Sequence, residues 1–307
     1  MRTSIITIVL LIILTTLIIL LCFCRFTKDH YPDTGETSNE LYDTRKYFLA
    51  LHTVFIANEN IEYLDEYLKY HIHLGFEHFF LYDNDDSTGG GGTKTHNRYG
   101  IPISTTKNTP ETIQKLNDIS QKYSEYVTIV KWQPLDEQKR VMYGQNEACD
   151  HFVSTFGGDC EWVAFIDLDE FIVSRNNLDL PRYLESMGNK QVSCVKLTQK
   201  KFKDRHLSTQ KYITQEFECI DKVIGTEWGP KNIVRMVDYI DIYNVHGIEV
   251  KHETVVAQAD DLIFHHYNVN PSSLEWMTDF YKSDEEFSLN SRDSQLKSVE
   301  HLFNDDI

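Results

Sequence analysis

Residues 162–172 read Trp-Val-Ala-Phe-Ile-Asp-Leu-Asp-Glu-Phe-Ile, and this stretch restricts the fold more than any other. The apolar run Trp162 to Ile166 has the length and composition of a strand buried on both faces. It stops abruptly at Asp167-Leu168-Asp169-Glu170. Acids so dense at a strand end are costly unless they meet a cation, a hydrogen-bond donor or water. In open α/β sheets, ligands bind at the carboxyl ends of strands. The residues therefore point to a divalent-metal site at the lip of a sheet, facing a phosphorylated substrate.

The chain leading to this motif alternates strand and helix. Leu51 to Ala57 reads as a first strand. Ile61, Leu64, Leu68 and Ile72 then recur at helical spacing, with Asn58 and Asn60 as candidate caps and Gly75 as the stop. His78 to Tyr82 reads as a second strand, and an insert from Asn84 to Thr93 carries the run Gly89 to Gly92. Thr109-Pro110-Glu111 opens the next helix, with Pro at its first position and Ile113, Leu116 and Ile119 as its buried face. Tyr126 to Trp132 is the third strand, Val141 to Phe152 a helix, and Trp162 to Ile166 the fourth strand. This is the pattern of a mostly parallel sheet with helices on both faces. Afterwards come shorter β-rich runs: Val192 to Leu197, Asn232 to Val237, Ile240 to Val245 and Leu262 to Val269. A last helix is expected from Ser272 to Tyr281.

The amino terminus is a separate object. Ile5 to Cys24 has no charge, Gly or Pro, and twenty such residues rise about 30 Å as a helix, enough to cross a bilayer core. The run ends Leu21-Cys22-Phe23-Cys24-Arg25 without a small-residue cleavage site, so a retained signal anchor is expected rather than a cleaved leader. Arg2 on one flank and Arg25 and Lys28 on the other leave the orientation open. The expected organisation is an anchor over 1–25, a polar stem over 26–46, a catalytic domain over 47–285 and an acidic tail over 286–307.

The formal net charge of −17 and the lack of a basic stripe argue against a nucleic-acid partner. Lys200-Lys201 with Lys203 and Arg205 is the densest basic cluster, and it reads as a loop surface. Cys149, Cys160, Cys194 and Cys219 match no zinc spacing, which leaves buried thiols or disulfides. No acceptable Asn-x-Ser/Thr sequon occurs, since Asn270-Pro271-Ser272 fails through its Pro.

Asp167 and Asp169, one residue apart at a strand end, point the same way in extended geometry. Mg²⁺ and Mn²⁺ take such carboxylates together with substrate phosphates. Glu59, after the first strand, and Asp83, ending the second, lie where a nucleotide would sit. Their plainer reading is turn and cap chemistry shared with Asn58, Asn60 and Asn84. In His265-His266-Tyr267 adjacent side chains face opposite ways, so one imidazole at most reaches the acids. His246 is a further candidate.

Taken together, these residues resemble glycosyltransferase family 92, a relative of the family 2 enzymes with a GT-A fold. The resemblance spans about Thr53 to Tyr281. Its carriers include Asn58-Glu59 with Glu62-Tyr63-Leu64, and Gly75 before Phe79-Phe80-Leu81-Tyr82-Asp83-Asn84. Gln145-Asn146 before Cys149 and the Trp162–Phe171 motif follow. Lys231-Asn232-Ile233-Val234-Arg235, Val245-His246 and His266-Tyr267-Asn268 complete the order. The resemblance implies a GT-A-like Rossmann-type domain behind one membrane anchor, of type II topology with a lumenal, Golgi-like catalytic domain. It implies a nucleotide-sugar donor, UDP-galactose being the attested kind, a glycan or glycoconjugate acceptor, and Mn²⁺ (or Mg²⁺). Asp167 would meet the donor ribose or the metal, Asp169 would ligate the metal, and His266 would be the extra ligand. Lys231 would pair with donor phosphate, unless it is only a surface lysine. The Gly89–Gly92 insert departs from the family, and the segment from Lys200 to Thr226 has little counterpart.

Inversion at the anomeric carbon requires a general base for the acceptor hydroxyl. Glu216, Glu218, Asp221 and Glu227 are candidates, and Glu227 is preferred because Glu227-Trp228-Gly229 joins an acid to a sugar-stacking ring and a flexible turn. Glu170 reads as a cap of the next segment or a support of the metal shell. Two other classes compete. A metal-dependent phosphotransferase or phosphatase would use Asp167 as nucleophile, but there the motif usually follows the first strand. A non-catalytic, membrane-anchored glycan-binding protein would keep the fold without turnover.

Overall fold

The computed structural model describes residues 45–87, 107–203, 218–224, 229–267 and 289–290, with the backbone alone at 201–203, 218–224 and 289–290. These residues belong to the second of two units, Thr44–Ile307. The expected anchor, the insert around Gly89–Gly92 and the helix expected at Ser272–Tyr281 lie outside them, as do nearly all of the stem and tail. No described helix is long and apolar enough to cross a membrane.

The chain runs β1 (Tyr47–Phe55), α1 (Ala57–His73), β2 (His78–Asp83), α2 (Pro110–Lys122), β3 (Val127–Lys131), α3 (Gln145–Phe156) and β4 (Cys160–Phe165). It continues with β5 (Glu170–Ser174), α4 (Leu180–Asn189), β6 (Val192–Leu197), β7 (Gln199–Lys203), β8 (Glu218–Ile224) and β9 (Lys231–Arg235). β10 (Tyr239–Asn244), β11 (Gly247–Val250), β12 (Glu253–Val256), β13 (Leu262–His266) and β14 (Leu289–Asn290) follow.

The main sheet has seven strands in the order β12-β6-β9-β4-β1-β2-β3. β1 pairs in parallel with both β2 and β4, and β2 with β3, whereas β9 runs antiparallel between β4 and β6. The alternation expected of a strand covered on both faces is strict. Leu49, Leu51, Phe79, Leu81, Trp162 and Ala164 join one core with α1, α2 and α4. Ala50, Val54, Phe80, Tyr82, Val163 and Phe165 join the other with α3 and the β10–β11 hairpin. The fold is thus mixed α/β, with a large, mostly parallel sheet. The chain steps from β1 to β2 and β3 on one side, then places β4 on the other side of β1. That reversal opens a crevice at the carboxyl ends of β1 and β4, directly before Asp167.

Several local expectations are corrected. Asn58 and Asn60 do not cap α1, whose boundary residue is Ile56. Asp83, at the end of the neighbouring strand, accepts from the Ala57 N–H at 3.2 Å instead, and Asn60 Oδ1 accepts from Ile56 N at 3.3 Å. Gly75 stops the helix as expected. At φ +102° it donates to the Ile72 carbonyl while Phe76 donates to His71, the paired bonds of a Schellman end. Thr109 caps α2, but Ile113 is 48% exposed, and the buried positions are Thr112 and Leu116. A one-residue rotation separates the two readings, because the polar Thr112 turns inward to donate to Asn58 Oδ1.

The largest difference is a second, five-stranded sheet, β14-β8-β7-β13-β5. It takes Lys200–Lys203 into strand β7, paired to β8 and β13, so this segment is not the loop expected. The segment that Glu170 was expected to cap is a strand, β5, and Glu170 is its first residue. Cys149, Cys160 and Cys194 are free and buried, which settles those three in favour of buried thiols.

Candidate active site

β4 ends at Phe165, and the next residues turn back on themselves. The Glu170 N–H donates to the Asp167 carbonyl at 3.1 Å, and the Asp167 N–H donates to Glu170 Oε2 at 2.8 Å. Glu170 therefore closes the acidic turn from both directions. β5 leaves this turn and pairs antiparallel with β13, which sets His266 opposite Glu170. His265 faces the other way, is fully buried, and lies 3.4 Å through Nδ1 from Tyr267 Oη. The expectation that only one of the two imidazoles reaches the acids is met.

Three elements converge on Asp167. β9 runs antiparallel to β4, so its first residue, Lys231, arrives at the carboxyl end of β4. Its ammonium donates to Asp167 Oδ2 at 2.6 Å and lies 3.0 Å from Glu170 Oε2. Lys231 is 1% exposed, which removes the plain surface-lysine reading. From the other flank, Gln145 Nε2 donates to Asp167 Oδ1 at 2.7 Å. Gln145 is the first residue of α3 and follows Gly144, which sits at φ +56°. A Cβ on Gly144 would lie 2.6 Å from Pro134 Cγ, so this turn admits glycine and little else.

The electrostatics follow from burial and crowding. Burial, aided by Asp167 and Asp169, pushes Glu170 up to about 7 against the pull of Lys231. Burial alone would lower Lys231, but Asp167 and Glu170 outweigh it and hold the ammonium well above its ordinary value. His266 is likewise raised, because Asp169 and Glu170 outweigh its burial. His266 Nε2 lies 3.6 Å from Asp169 Oδ2, and Nδ1 3.5 Å from Glu170 Oε1. Burial and then Lys231 lower His246, whose Nδ1 sits 3.0 Å from the Pro230 carbonyl oxygen. A carbonyl can only accept, so Nδ1 carries the proton and Nε2 keeps its lone pair.

Asp83 ends β2, whereas Glu59, expected at the end of the first strand, lies in the first turn of α1, four residues past the end of β1. Burial, then Asp167, Asp169, Glu59 and Glu170, raise the Tyr143 phenol well above its ordinary value. The Tyr143 hydroxyl donates to the Val54 carbonyl at 3.1 Å, near the end of β1. Both oxygens of Asp83 are engaged, by Ala57 N and by Asn108 Nδ2 at 2.7 Å. Asn84 Nδ2 donates to the carbonyls of Trp132 and Met142, long-range contacts rather than the local turn bonds weighed for this residue. Glu227 and Glu216 lie outside the described residues, and Glu218 and Asp221 are described in backbone only, within β8.

No three Asp, Glu, His or Cys side chains among the described residues gather as a ready metal cage. The donor set still suits Mn²⁺ or Mg²⁺. These ions need only one or two protein ligands beside substrate phosphates, and a carboxylate next to an imidazole favours Mn²⁺. Asp169 with His266 supplies that pair. Asp167, held by Gln145 and Lys231, presents a fixed carboxylate beside it and is 31% exposed. His52 and Cys149, 3.9 Å apart behind this wall, are no nucleophilic pair: burial drives the imidazole to about 3 and the thiol to about 12.

Residues 103–307, more than half of the chain, match the family model described as Glycosyltransferase family 92. The chain belongs to this family. The matched stretch contains the acidic turn, Lys231, His246 and His266, whereas Glu59 and Asp83 precede it. No curated protein matches. Among solved structures the glycosyltransferase is similar to UDP-glucose pyrophosphorylase complexed with UDP-glucose, at 11% identity and a TM-score of 0.28 over 76% of this chain and 98% of that one. The apo form of UDP-glucose pyrophosphorylase matches at 11% identity and a TM-score of 0.27, over 77% and 98%.

Gln145 and Glu170 are the residues around Asp167 hardest to place from sequence. Gln145 stood out only as part of a family string. Its role depends on Gly144, and a glycine immediately before an amphipathic run was the available signal.

Proposed function

We propose that the chain is an inverting glycosyltransferase that moves a sugar, galactose by family resemblance, from a UDP-sugar to a glycan acceptor. One observation supports this above the others: Asp167, Asp169, Lys231 and His266, drawn from three separate segments, meet at the carboxyl end of β4 beside the crevice. Asp169 and His266 would hold the metal. When bound there, Mn²⁺ or Mg²⁺ neutralises charge on the leaving diphosphate as a Lewis acid.

The chain's own residues do the rest. Gln145 and Lys231 fix the Asp167 carboxylate toward the donor, and Lys231 adds positive charge at the diphosphate end. Glu59, in the first turn of α1, and Asp83, at the end of β2, would face the nucleoside part. Pre-set groups of this kind stabilise developing charge without reorganising during the reaction. Glu227 is the proposed base for the acceptor hydroxyl. The membrane anchor over 1–25 and a lumenal, Golgi-like setting belong to the same proposal.

The test is transfer or hydrolysis of UDP-galactose, against other nucleotide sugars, with and without Mn²⁺. Asp169→Ala should lose about 100-fold in metal-dependent turnover while remaining folded. Full activity in that variant would remove the metal assignment. A phosphatase-like enzyme would instead release phosphate from simple monoesters, and a glycan-binding protein would turn over nothing.

A further inference from the structure

The acidic turn has two sides, and the residues discussed so far account for one. Glu59 and Asp83 lie toward α1, on one face of the sheet. On the other face α3 and the β10–β11 hairpin cover the second core. The hairpin tip reaches the turn. Val245 lines the same wall as Asp167, Lys231 and Gln145, and His246 contacts the Pro230 carbonyl next to Lys231. Asn146, adjacent to the residue that holds Asp167, donates to the Tyr243 carbonyl at 3.4 Å.

Tyr243 is the exception to economical packing on this tip. Its side chain is 62% exposed, although a large ring gains by burial. It is nevertheless not loose: its hydroxyl donates to Glu249 Oε2 across the hairpin. A ring with a tethered hydroxyl shows a fixed face to solvent at low entropic cost. Around it stand Asn244, Asn146 and Glu249, planar polar groups beside an aromatic face, which is the chemistry that binds a pyranose through C–H contacts and paired hydroxyl bonds. The surroundings are also acidic. Asp241 and Glu249 are cross-strand partners, and slight burial together with Asp241 and Glu147 pushes Asp150 up.

We propose that the β10–β11 hairpin tip is the acceptor subsite, with Tyr243 as the stacking platform for a neutral glycan, and that its carboxylates reject uronic-acid, sulfated or sialylated acceptors. This rests on the glycosyltransferase reading above. The transfer forms a bond from the acceptor oxygen to the anomeric carbon and breaks the bond from that carbon to the diphosphate. The electron pair leaves with the nucleoside diphosphate, and the hydroxyl proton passes to the base.

The experiment uses the full chain, UDP-galactose carrying a labelled sugar, and an array of neutral and acidic glycans, with hydrolysis of UDP-galactose followed separately. The expected result is transfer to neutral glycans only. In Tyr243→Ala the acceptor KM should rise about tenfold, while the KM for UDP-galactose stays within about twofold. Tyr243→Trp should restore acceptor binding, and Glu249→Gln should raise turnover of acidic glycans relative to neutral ones. Ile113→Ala, an exposed side chain on α2, serves as the control. An unchanged acceptor KM in Tyr243→Ala, a rise in the KM for UDP-galactose instead, or equal use of acidic glycans overturns the subsite. Absence of both hydrolysis and transfer in the unaltered chain overturns the underlying reading instead.

Discussion

β4 carries buried charge at both ends, and the two ends treat it differently. At the amino end, Glu161 is held by Arg45 and by Arg235 Nε at 2.7 Å, and Arg235 Nη1 lies 3.7 Å from Asp238. Ser193 Oγ donates to Asp238 at 2.9 Å. Two acids meet two guanidinium groups, and all four side chains are at most 12% exposed. At the carboxyl end, Asp167, Asp169 and Glu170 share the ammonium of Lys231 and the imidazole of His266, and Asp167 and His266 open to solvent. A closed, balanced cluster serves the fold. An open cluster with surplus carboxylate has capacity left for a ligand, and that contrast supports the proposed placement of the site without reference to any relative.

The same division separates the histidines, and it predicts the largest effect. His52 and His71 are closed inside the core, where burial drives each to about 3. His71 is fully satisfied as a neutral ring: Nδ1 meets the Tyr67 carbonyl at 2.9 Å and Nε2 accepts from Ile172 N at 3.3 Å. Their folded values lie below the unfolded one, so their stabilising contribution is complete above pH ~6.5 and is lost as pH falls toward ~3. Across that window the unfolded chain binds two more protons at these positions, a slope of about 2.7 kcal/mol per pH unit. Buried carboxyls such as Glu170, raised to about 7, act with the opposite sign in the same window, so the test is the difference between proteins: urea midpoints of His71→Gln, measured from pH 7 to 4, should lose one proton of acid sensitivity relative to the parent. An unchanged slope in that variant would place His71 outside the closed class.

Lys231 is the buried cation that bridges Asp167 and Glu170 at the open end. Lys231→Met keeps the volume but leaves Asp167 and Glu170 facing each other in the interior. Stability should drop by about 3–5 kcal/mol by chemical denaturation, and donor turnover should be lost with it. If Lys231→Met were as stable as the parent, the carboxylates would have to be satisfied by other groups, and the contrast between the two ends would weaken.

Much of this was legible in the sequence because it depends on local pattern. The strand–helix alternation up to Phe165, the Thr109 cap and the Gly75 stop each follow from a few adjacent residues. Asp167, Asp169 and His266 were identifiable because acids and imidazoles at strand ends demand partners. What escaped depends on long-range pairing. Lys200–Lys203 looks like a basic loop until β8 and β13 take it into a sheet. Lys231 carries no local sign of burial, because its enclosure comes from β9 running antiparallel beside β4. Ile113 and Thr112 exchange roles because Asn58, far away in sequence, offers a hydrogen bond.

The closed end supplies the smallest effect and the cleanest separation of fold from function. Glu161→Gln keeps the shape and one carbonyl acceptor but removes the anion between Arg45 and Arg235. One guanidinium is left poorly satisfied, which should cost about 1–3 kcal/mol. Six residues of extended chain separate position 161 from Asp167, about 20 Å at ~3.3 Å per residue. The variant should therefore unfold at lower urea while its kcat and its KM for donor and acceptor remain those of the parent. A fall in kcat at unchanged stability would mean that β4 transmits the state of one end to the other, so that the amino-end cluster tunes the acidic turn and is no passive anchor.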